Sequence, residues 1–375
     1  MTTHDVLVPL DILFSYMPRP GEIHRSRLDA DPATTIPVPI VVLSAMEAVE
    51  CIVKGQGDIA SYHQDCLASG LCEAHISKTD FIQMLRARIR ALRWNPFSRR
   101  PLISDIQNDC LIVEEGLELC CLTKALGKSW IKVSMPEAVH AKWLARSTGD
   151  LDDVVARTAR KSFYNPIDHP AYRKSKIARR DSIRLDRIRQ LLGPIGPGLC
   201  GLDIGCNMGY TSHHLQRQHF SMTGIDYDEN HLTVAKALDA TYGLDVRFQD
   251  CYFRQFQADQ PFDVVLALTV LYHMFFRQEE QNIPECGRMD KVAALAKLDA
   301  MTRHALIWES GPEPQREIDF IRSNSGLSDY YSLGPTQGTG KKRELGVFLR
   351  PNTSLSDYLR NRHTANFAGR LDIKS

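Results

Sequence analysis

Acidic residues and glycines follow three apolar segments in the C-terminal half of the chain. In the first segment, Asp203 is followed by Gly205 and Gly209, where a strand would turn into a helix. Glycine at such a turn lets a ligand lie against the backbone, and the free N–H groups at the start of a helix suit a carboxylate. The second segment ends in Asp226 and the third in Asp250. Carboxylates at these places can accept hydrogen bonds from ribose hydroxyls or a purine amino group, so the spacing predicts a nucleotide-like cofactor.

Seven short apolar runs after Leu199 predict the strands of a mainly parallel sheet, because they alternate with stretches of helical periodicity. We expect strands at residues 200–204, 221–225, 246–249, 262–268, 305–309, 330–333 and 344–349. Helices are expected at residues 211–217, 229–242, 289–302 and 315–323, with a broken helical stretch near Arg254. The last two strands are joined by a short segment rich in glycine, so they should pair as an antiparallel hairpin. The fold class is therefore α/β, with a doubly wound, seven-stranded sheet whose last strand is antiparallel.

A second, smaller domain is expected because 375 residues exceed the size of one typical core. The N-terminal part predicts a mixed α/β domain, with strands at 40–43 and 110–113 and an amphipathic helix at 78–92 that has a basic face. A charged segment with Asn165-Pro166 and His169-Pro170 turns predicts a linker, and a helix at 175–192 would lead into the sheet. We divide the chain into residues 1–150, the linker and lead-in helix 151–192, the cofactor domain 193–355 and a tail 356–375.

The overall composition is that of a globular protein without a general preference for polyanions. Lys and Arg number 46 against 45 for Asp and Glu, and the chain lacks an apolar run long enough to span a membrane. Ten irregularly spaced cysteines do not resemble a disulfide framework. We therefore expect a cytoplasmic protein with reduced thiols; the oligomeric state stays open.

The segment from about Leu199 to Arg350 resembles a class I, Rossmann-like, S-adenosylmethionine-dependent methyltransferase. The resemblance rests on the acid-x-Gly-x-x-x-Gly turn and on the seven-strand pattern, whereas a nicotinamide-binding fold would carry a Gly-x-Gly-x-x-Gly turn. It implies S-adenosyl-L-methionine as the cofactor, with the methionine part held at Asp203, Gly205 and Gly209. Asp226 would bind the ribose and Asp250 the adenine. The remaining cofactor-binding residues that it implies are Cys206, Asn207, Tyr227, Cys251 and Leu268.

His273 is the candidate catalytic residue, because it follows the fourth strand of the sheet at the edge where the methyl group would lie. A neutral imidazole there could remove a proton from an acceptor hydroxyl; the alternative is that His273 only packs or caps its helix. Tyr272 and Glu309 lie near the same edge as weaker candidates. The sequence lacks the Asn-Pro-Pro-Tyr or Asp-Pro-Pro-Tyr run of enzymes that methylate adenine amino groups, so oxygen on a small molecule or a glycan is the favoured acceptor.

Three further patterns leave alternatives open. A basic stripe between Arg157 and Arg189 could contact RNA, which would make the protein an RNA methyltransferase, or could be solvated helix surface. The set His63, Cys66, Cys72 and His75 has a spacing too wide for a usual zinc site, and we predict no metal. The N-terminal domain distantly resembles a ParB-like fold without its phosphate-binding His and Arg, which implies a recognition or scaffold module. A non-catalytic subunit that keeps the fold is the other alternative.

Overall fold

The computed structural model describes residues 2–15, 38–55, 59–68, 76–94, 100–145, 151–157, 163–167, 170–172, 183–193, 198–277, 285–337 and 342–366. The chain divides into two compact units. The first comprises residues 1–147 and 167–174, and the second comprises residues 148–166 and 175–375.

The first unit is built on a mixed six-stranded sheet. Its strands are β1 (Thr3–Pro9), β2 (Leu13–Ser15), β3 (Val38–Pro39), β4 (Leu102–Gln107), β5 (Cys110–Glu115) and β6 (Trp130–Pro136), in the order β1-β6-β4-β5-β2-β3. The helices of this unit are α1 (Ser44–Lys54), α2 (Ala60–Ala68), α3 (Lys78–Trp94), α4 (Leu117–Ala125) and α5 (Glu137–Leu144). Short 3₁₀ turns lie at Leu10–Ile12, Ile40–Val42 and Pro170–Tyr172.

The second unit is built on a seven-stranded sheet. Its strands are β7 (Cys200–Ile204), β8 (Ser221–Asp226), β9 (Arg247–Asp250), β10 (Phe262–Leu268), β11 (Thr302–Glu309), β12 (Asp329–Gln337) and β13 (Lys342–Leu349), in the order β12-β13-β11-β10-β7-β8-β9. The pairs among β7 to β11 are parallel, and β13 pairs antiparallel with both β11 and β12. The carboxyl ends of five neighbouring strands therefore share one edge of the sheet.

Helices cover both faces of this sheet. They are α6 (Leu151–Arg157), α7 (Ile183–Leu192), α8 (Tyr210–Arg217), α9 (Glu229–Tyr242), α10 (Val270–Phe276), α11 (Lys291–Met301), α12 (Pro314–Asn324) and α13 (Ser354–Asn366), with a 3₁₀ turn at Glu285–Gly287. One buried cluster joins the sheet to α7, α8, α9 and α13, through residues such as Ile188, Leu215 and Leu359. A second cluster joins it to α10, α11 and α12, through Leu271, Leu298 and Ile321. The second unit is thus the doubly wound α/β fold that the sequence predicts.

All seven predicted strands of the second unit are present, and the last two form the predicted hairpin. The prediction of a strand at 40–43 is wrong, because Ile40–Val42 forms a 3₁₀ turn that leads directly into α1. A short apolar run does not distinguish a strand from a buried helical turn. The stretch near Arg254 forms turns without a helix. Only residues 183–192 of the predicted lead-in helix lie in the described part of the chain, where they form α7.

Within the residues that the structure describes, no helix is both long and apolar enough to cross a membrane. The cysteines whose side chains are described are free thiols. Helix α13 occupies the start of the segment assigned above to a tail, and it packs on the sheet through the buried Leu355 and Leu359.

Candidate active site

A cavity of about 260 Å³ lies at the carboxyl ends of β7, β8, β9 and β10. The chain runs outward from β7 through β8 to β9 and then returns to the other side of β7 as β10. Such a reversal leaves a crevice at the carboxyl edge, which is where open α/β sheets bind ligands. Six of the residues predicted to form the site line this cavity, and they are Gly205, Asn207, Asp226, Tyr227, Cys251 and His273.

The turn after β7 is tight because its N–H groups bond to the neighbouring strand. Gly205 and Cys206 both donate their backbone N–H to the carbonyl of Ile225, at 2.8 and 3.0 Å. Gly205 has φ +69°, and a Cβ there would lie 2.6 Å from Cγ2 of Val270 at the start of α10. Glycine therefore lets the turn after β7 and the turn after β10 approach each other at the cavity.

Asn207 occupies a left-handed backbone position in the same turn, with φ +53°. Its Oδ1 accepts the backbone N–H of Met208 at 2.9 Å, and its Nδ2 lies 3.0 Å from the nearer ring nitrogen of His231. Asparagine tolerates this conformation better than most residues, because its short side chain bonds locally. Asn207 thus supplies the left-handed residue of this turn.

Asp226 joins the ends of β7 and β8 through its carboxylate. Oδ2 accepts the backbone N–H of Asn207 at 2.8 Å, and Oδ1 accepts that of Asp228 at 2.9 Å. The side chain is 9% exposed and lines the cavity. A carboxylate oxygen accepts more than one hydrogen bond, so both oxygens keep capacity for hydroxyl donors of a ligand.

His231 is a cavity residue that the sequence patterns did not identify. It lies in the first turn of α9, and its Nδ1 is 3.3 Å from Oδ2 of Asp228 and 4.0 Å from Oδ1 of Asp226. Asp228 caps α9 by accepting the N–H groups of Asn230 and His231. An N-capping acid after β8 predicts the start of a helix. His231 lies three residues after the cap Asp228, so its position at the carboxyl edge of the sheet could have been predicted from the sequence.

Two tyrosines stack at the cavity wall. The rings of Tyr227 and Tyr252 are 5.0 Å apart between centroids and nearly parallel, at 10°. Tyr227 is 55% exposed. The neighbouring Gly287 contacts Tyr252 so closely that a Cβ would lie 2.5 Å from its ring. The contribution of Gly287 and Met289 to the cavity follows from this packing and has no local sequence signal.

His273 lines the cavity from helix α10, which follows β10. Burial lowers the pKa of its imidazole below the ordinary 6.5, and the nearby guanidinium groups of Arg343 and Arg277 lower it further. The imidazole is therefore neutral near pH 7. Its Nδ1 is buried and has no hydrogen-bond partner among the described residues.

A buried network holds the turn that carries His273. Thr269 has φ +73°, which is uncommon for a β-branched residue, and its Oγ1 donates to Oε2 of Glu309 at 2.7 Å. Glu309 is fully buried and also accepts from Arg184 at 3.0 Å and from Thr336. Glu309 thus joins α7, β12 and the turn between β10 and α10. These contacts give it a structural position, and Tyr272 likewise is buried and packed against Gly311.

Five of the predicted cofactor residues do not line the cavity, and they are Asp203, Cys206, Gly209, Asp250 and Leu268. Asp203 is buried under the turn, where its Oδ2 accepts from Ser212 at 2.8 Å and burial raises its pKa to about 6. Gly209 is needed for packing, since a Cβ there would lie 2.6 Å from the ring of Phe248. Asp250 is exposed at the end of β9. The cavity at this edge is thus formed more by β8, α10 and the segment 251–254 than the sequence predicts.

The described residues of the other sequence patterns do not line this cavity. His63 packs on Phe81 and Cys66 is buried, while Cys72 and His75 lie outside the described residues. Among the residues that the structure describes, no cluster of His, Cys, Asp and Glu is arranged to hold a metal ion. In the described part of the basic stripe, Arg184 and Arg189 are buried and Arg187 donates to the carbonyl of Pro335.

A protein-family model matches the segment of the chain that forms this cavity. Residues 202–291 match the family model described as "Methyltransferase domain". The ubiquinone biosynthesis O-methyltransferase of Caulobacter vibrioides is 34% identical over 113 residues, which are 30% of this chain and 42% of that protein. The enzyme of the same name from Pseudomonas aeruginosa (strain LESB58) is 32% identical over 112 residues, covering 28% of this chain and 47% of that protein. The chain thus spans less than half the length of these curated relatives.

Two solved structures are also similar to this chain, at lower sequence identity. The magnesium protoporphyrin IX methyltransferase of Synechocystis PCC 6803, with bound SAM, is 21% identical with a TM-score of 0.37, over 45% of this chain and 78% of that one. A structure of WbdD with a kinase inhibitor is 22% identical with a TM-score of 0.43, over 53% of this chain and 47% of that one.

Proposed function

We propose that this chain, whose residues 202–291 match a methyltransferase domain, transfers the methyl group of S-adenosyl-L-methionine to an oxygen atom of a small-molecule or glycan acceptor. The observation that carries the proposal is the convergence of Gly205, Asp226 and His273 on one cavity at the switch point of the sheet. Gly205 and Asp226 would hold the cofactor, and His273 would act on the acceptor.

The residues at this edge fit the cofactor. Asp226 keeps carboxylate capacity for the ribose hydroxyls, and Gly205 lets the turn after β7 pack against Val270 at the cavity. Tyr227 and Cys251 line the cavity and are proposed to contact the purine, while the buried Asp203 supports the turn through Ser212. When bound, the cofactor supplies a methyl group that its sulfonium already activates, so the chain mainly has to align the acceptor and exclude water.

His273 is proposed as the general base. A hydroxyl is a weak nucleophile, and removal of its proton as the new C–O bond forms makes the transfer easier. The lowered pKa keeps the imidazole unprotonated near pH 7. Because Nδ1 is buried, Nε2 is the ring nitrogen that would take the proton. Cleavage of the sulfur–methyl bond leaves S-adenosylhomocysteine as the second product.

Oxygen is favoured as the acceptor atom because the curated relatives are O-methyltransferases by name. In addition, the segment after the fourth strand lacks the Asn-Pro-Pro-Tyr or Asp-Pro-Pro-Tyr run of enzymes that methylate adenine amino groups. The RNA alternative loses support in the described region, since Arg184 pairs with Glu309 and Arg189 is buried.

For the N-terminal unit we propose a role in recognising the acceptor, in keeping with its distant resemblance to a degenerate ParB-like module.

Transfer of a labelled methyl group tests the proposal. We expect the purified full chain to move label from S-adenosyl-[methyl-¹⁴C]methionine into the small-molecule and glycan fraction of a whole-cell extract, and His273→Gln to slow that transfer. The control is His219→Gln, which alters a half-buried histidine outside the cavity. Label that appears only in RNA would support the RNA alternative, and a folded protein that binds S-adenosylhomocysteine but labels nothing would support a non-catalytic subunit.

A further inference from the structure

Residues 285–289, here called the strap, contribute one wall of the cavity. Gly287 and Met289 of the strap line it. The strap begins with a 3₁₀ turn and leads to Asp290, whose carboxylate caps α11 by accepting two backbone N–H groups of that helix. The carboxyl end of the strap is therefore fixed by the start of α11.

Arg254 fastens the strap to the segment that follows β9. Its Nη1 donates to the backbone carbonyls of Glu285 and Arg288, both at 3.0 Å. Hydrogen bonds from a guanidinium are charge-assisted, and the group stays protonated at any pH of interest. A single side chain thus joins two carbonyls of the strap to residues that lie 31 and 34 positions earlier in the chain.

The backbone of Arg254 is itself anchored. The neighbouring Phe253 and Phe256 are buried in the core between the sheet and α11. Lys297 of α11 donates to the carbonyl of Arg254 at 2.8 Å, and its ammonium lies 5.3 Å from the ring centroid of Phe253. The guanidinium therefore holds the strap from a fixed base.

The strap packs closely on the aromatic wall of the cavity. A Cβ at Gly287 would lie 2.5 Å from the ring of Tyr252, and Tyr252 stacks on Tyr227. Gly287 does not have a positive φ, so a side chain there would act through the contact with the ring. The strap, Tyr252 and Tyr227 thus form successive layers at the end of the cavity that we assign to the purine.

We propose that Arg254 is a positioning residue for the cofactor, which it serves by holding the strap against Tyr252. This inference rests on the proposed function and adds a residue that acts on cofactor affinity through the wall of the site. A wall that is already in place binds its ligand without the cost of ordering it. If the wall is in place in only a fraction of the molecules, the apparent affinity falls by that fraction.

Calorimetric titration of the full chain with S-adenosylhomocysteine tests this inference. Arg254→Gln should weaken binding about fivefold, which corresponds to the net effect of one hydrogen bond. The matched control is Arg322→Gln, because Arg322 also donates to a backbone carbonyl, that of Ser328 at 3.0 Å, but lies in α12 and does not line the cavity. The control should bind as the wild type does, and melting curves check the folding of each variant.

A double-mutant cycle separates positioning from direct contact between Arg254 and the cofactor. Gly287→Ala should also weaken binding, because the new methyl group displaces the strap from Tyr252. If Arg254 acts through the strap, the double variant should bind about as well as the weaker single variant, since either change already disturbs the same wall. Direct contact with the cofactor would instead make the two losses multiply.

Hydrogen exchange without any ligand measures the strap itself. The backbone N–H groups of residues 285–289, followed by mass spectrometry, should exchange faster in Arg254→Gln than in the wild type or in Arg322→Gln, because the two bonds that hold the strap are lost.

The negative results have different meanings. If the wild type binds S-adenosylhomocysteine but Arg254→Gln binds it equally well, if the losses in the cycle multiply, or if exchange in the strap is unchanged, this inference is wrong and the proposed function stands. If S-adenosylhomocysteine does not bind to the folded wild-type chain, the proposed function fails, and the inference fails with it.

Discussion

Asp226 shows how a single side chain can serve both the fold and the cavity. Its two oxygens fix the backbone of Asn207 and of Asp228, so the carboxylate is held in place before any ligand arrives. Preorganised acceptors bind hydroxyls without the entropy cost of ordering the side chain at that moment.

The pH dependence of transfer should follow His273. Because its pKa lies below 6.5, the active, neutral form predominates at pH 7, and activity should fall only when acidification protonates the imidazole. We expect kcat/KM to decline below pH 6.5 with a single ionisation, and this decline to be absent from the residual activity of His273→Gln. An unchanged acidic limb in that variant would assign the ionisation to another group and remove His273 as the base.

Gly205 should be required for its shape as well as for its backbone angle. In Gly205→Ala the new Cβ would lie 2.6 Å from Cγ2 of Val270, in addition to adopting φ +69°. Gly243→Ala is the matched control, because Gly243 has φ +64° but no atom within 4 Å of the position that a Cβ would take. Both changes should cost about 1–2 kcal/mol of stability from the backbone angle, but only Gly205→Ala should weaken S-adenosylhomocysteine binding in calorimetry. Equal affinities of the two variants would contradict the close approach at Val270.

At the level of elements, the buried network around Glu309 positions the turn between β10 and α10. Glu309 accepts three donors from three different segments, including the buried Arg184. In Glu309→Gln the guanidinium of Arg184 would remain buried without its counter-charge. Breaking one partner of a buried ion pair costs about 3–5 kcal/mol.

The stability cost of Glu309→Gln can be compared with that of breaking an exposed ion pair close to it in the sequence. Glu313 pairs with Arg316 in solvent, with side chains 53% and 55% exposed, so Glu313→Gln should change the stability by about 0–1 kcal/mol. Urea unfolding of the two variants, followed by circular dichroism, measures the difference. If Glu309→Gln proves as stable as Glu313→Gln, the network does not hold the turn.

The strands of the second unit could be predicted because each is a short apolar run that ends at a polar residue or glycine. The two-sided burial of Val264 to Ala267 follows directly from such a run. The bounds of helix α10 were not predicted, because Leu271 to Phe276 continues the apolar stretch after β10 without a capping residue. Its start is set instead by Thr269, whose left-handed angle depends on Glu309, a residue 40 positions away in sequence.

Some residues of the candidate site could be predicted from the sequence, whereas others depend on tertiary packing. The acid after each strand could be predicted to lie at the sheet edge, since parallel strands share their direction. Which of these acids face the cavity depends on packing across the sheet, and for this reason Asp203 lies beneath the turn and Asp250 outside the cavity. Gly287 and Met289 reach the cavity through a tertiary contact with Tyr252 that no local pattern encodes.

At the scale of the whole molecule, the cavity and every residue that lines it belong to the second unit. The matched family segment, residues 202–291, covers the strands β8, β9 and β10 and every residue that lines the cavity. The N-terminal unit has its own sheet and core. The second unit therefore contains all of the residues that we assign to cofactor binding. We propose that both units take part in selecting the acceptor.

Calorimetric titration of the full chain with S-adenosylhomocysteine tests the central claim most directly. We predict binding by the wild-type chain and at least about tenfold weaker binding by Asp226→Asn, because a charge-assisted contact to the ribose hydroxyls is lost. The exposed Asp259 lies at the opposite edge of the sheet, so Asp259→Asn should bind as the wild type does. A folded wild-type protein that does not bind S-adenosylhomocysteine, or an Asp226→Asn variant that binds it equally well, would contradict the assignment of this cavity as the cofactor site.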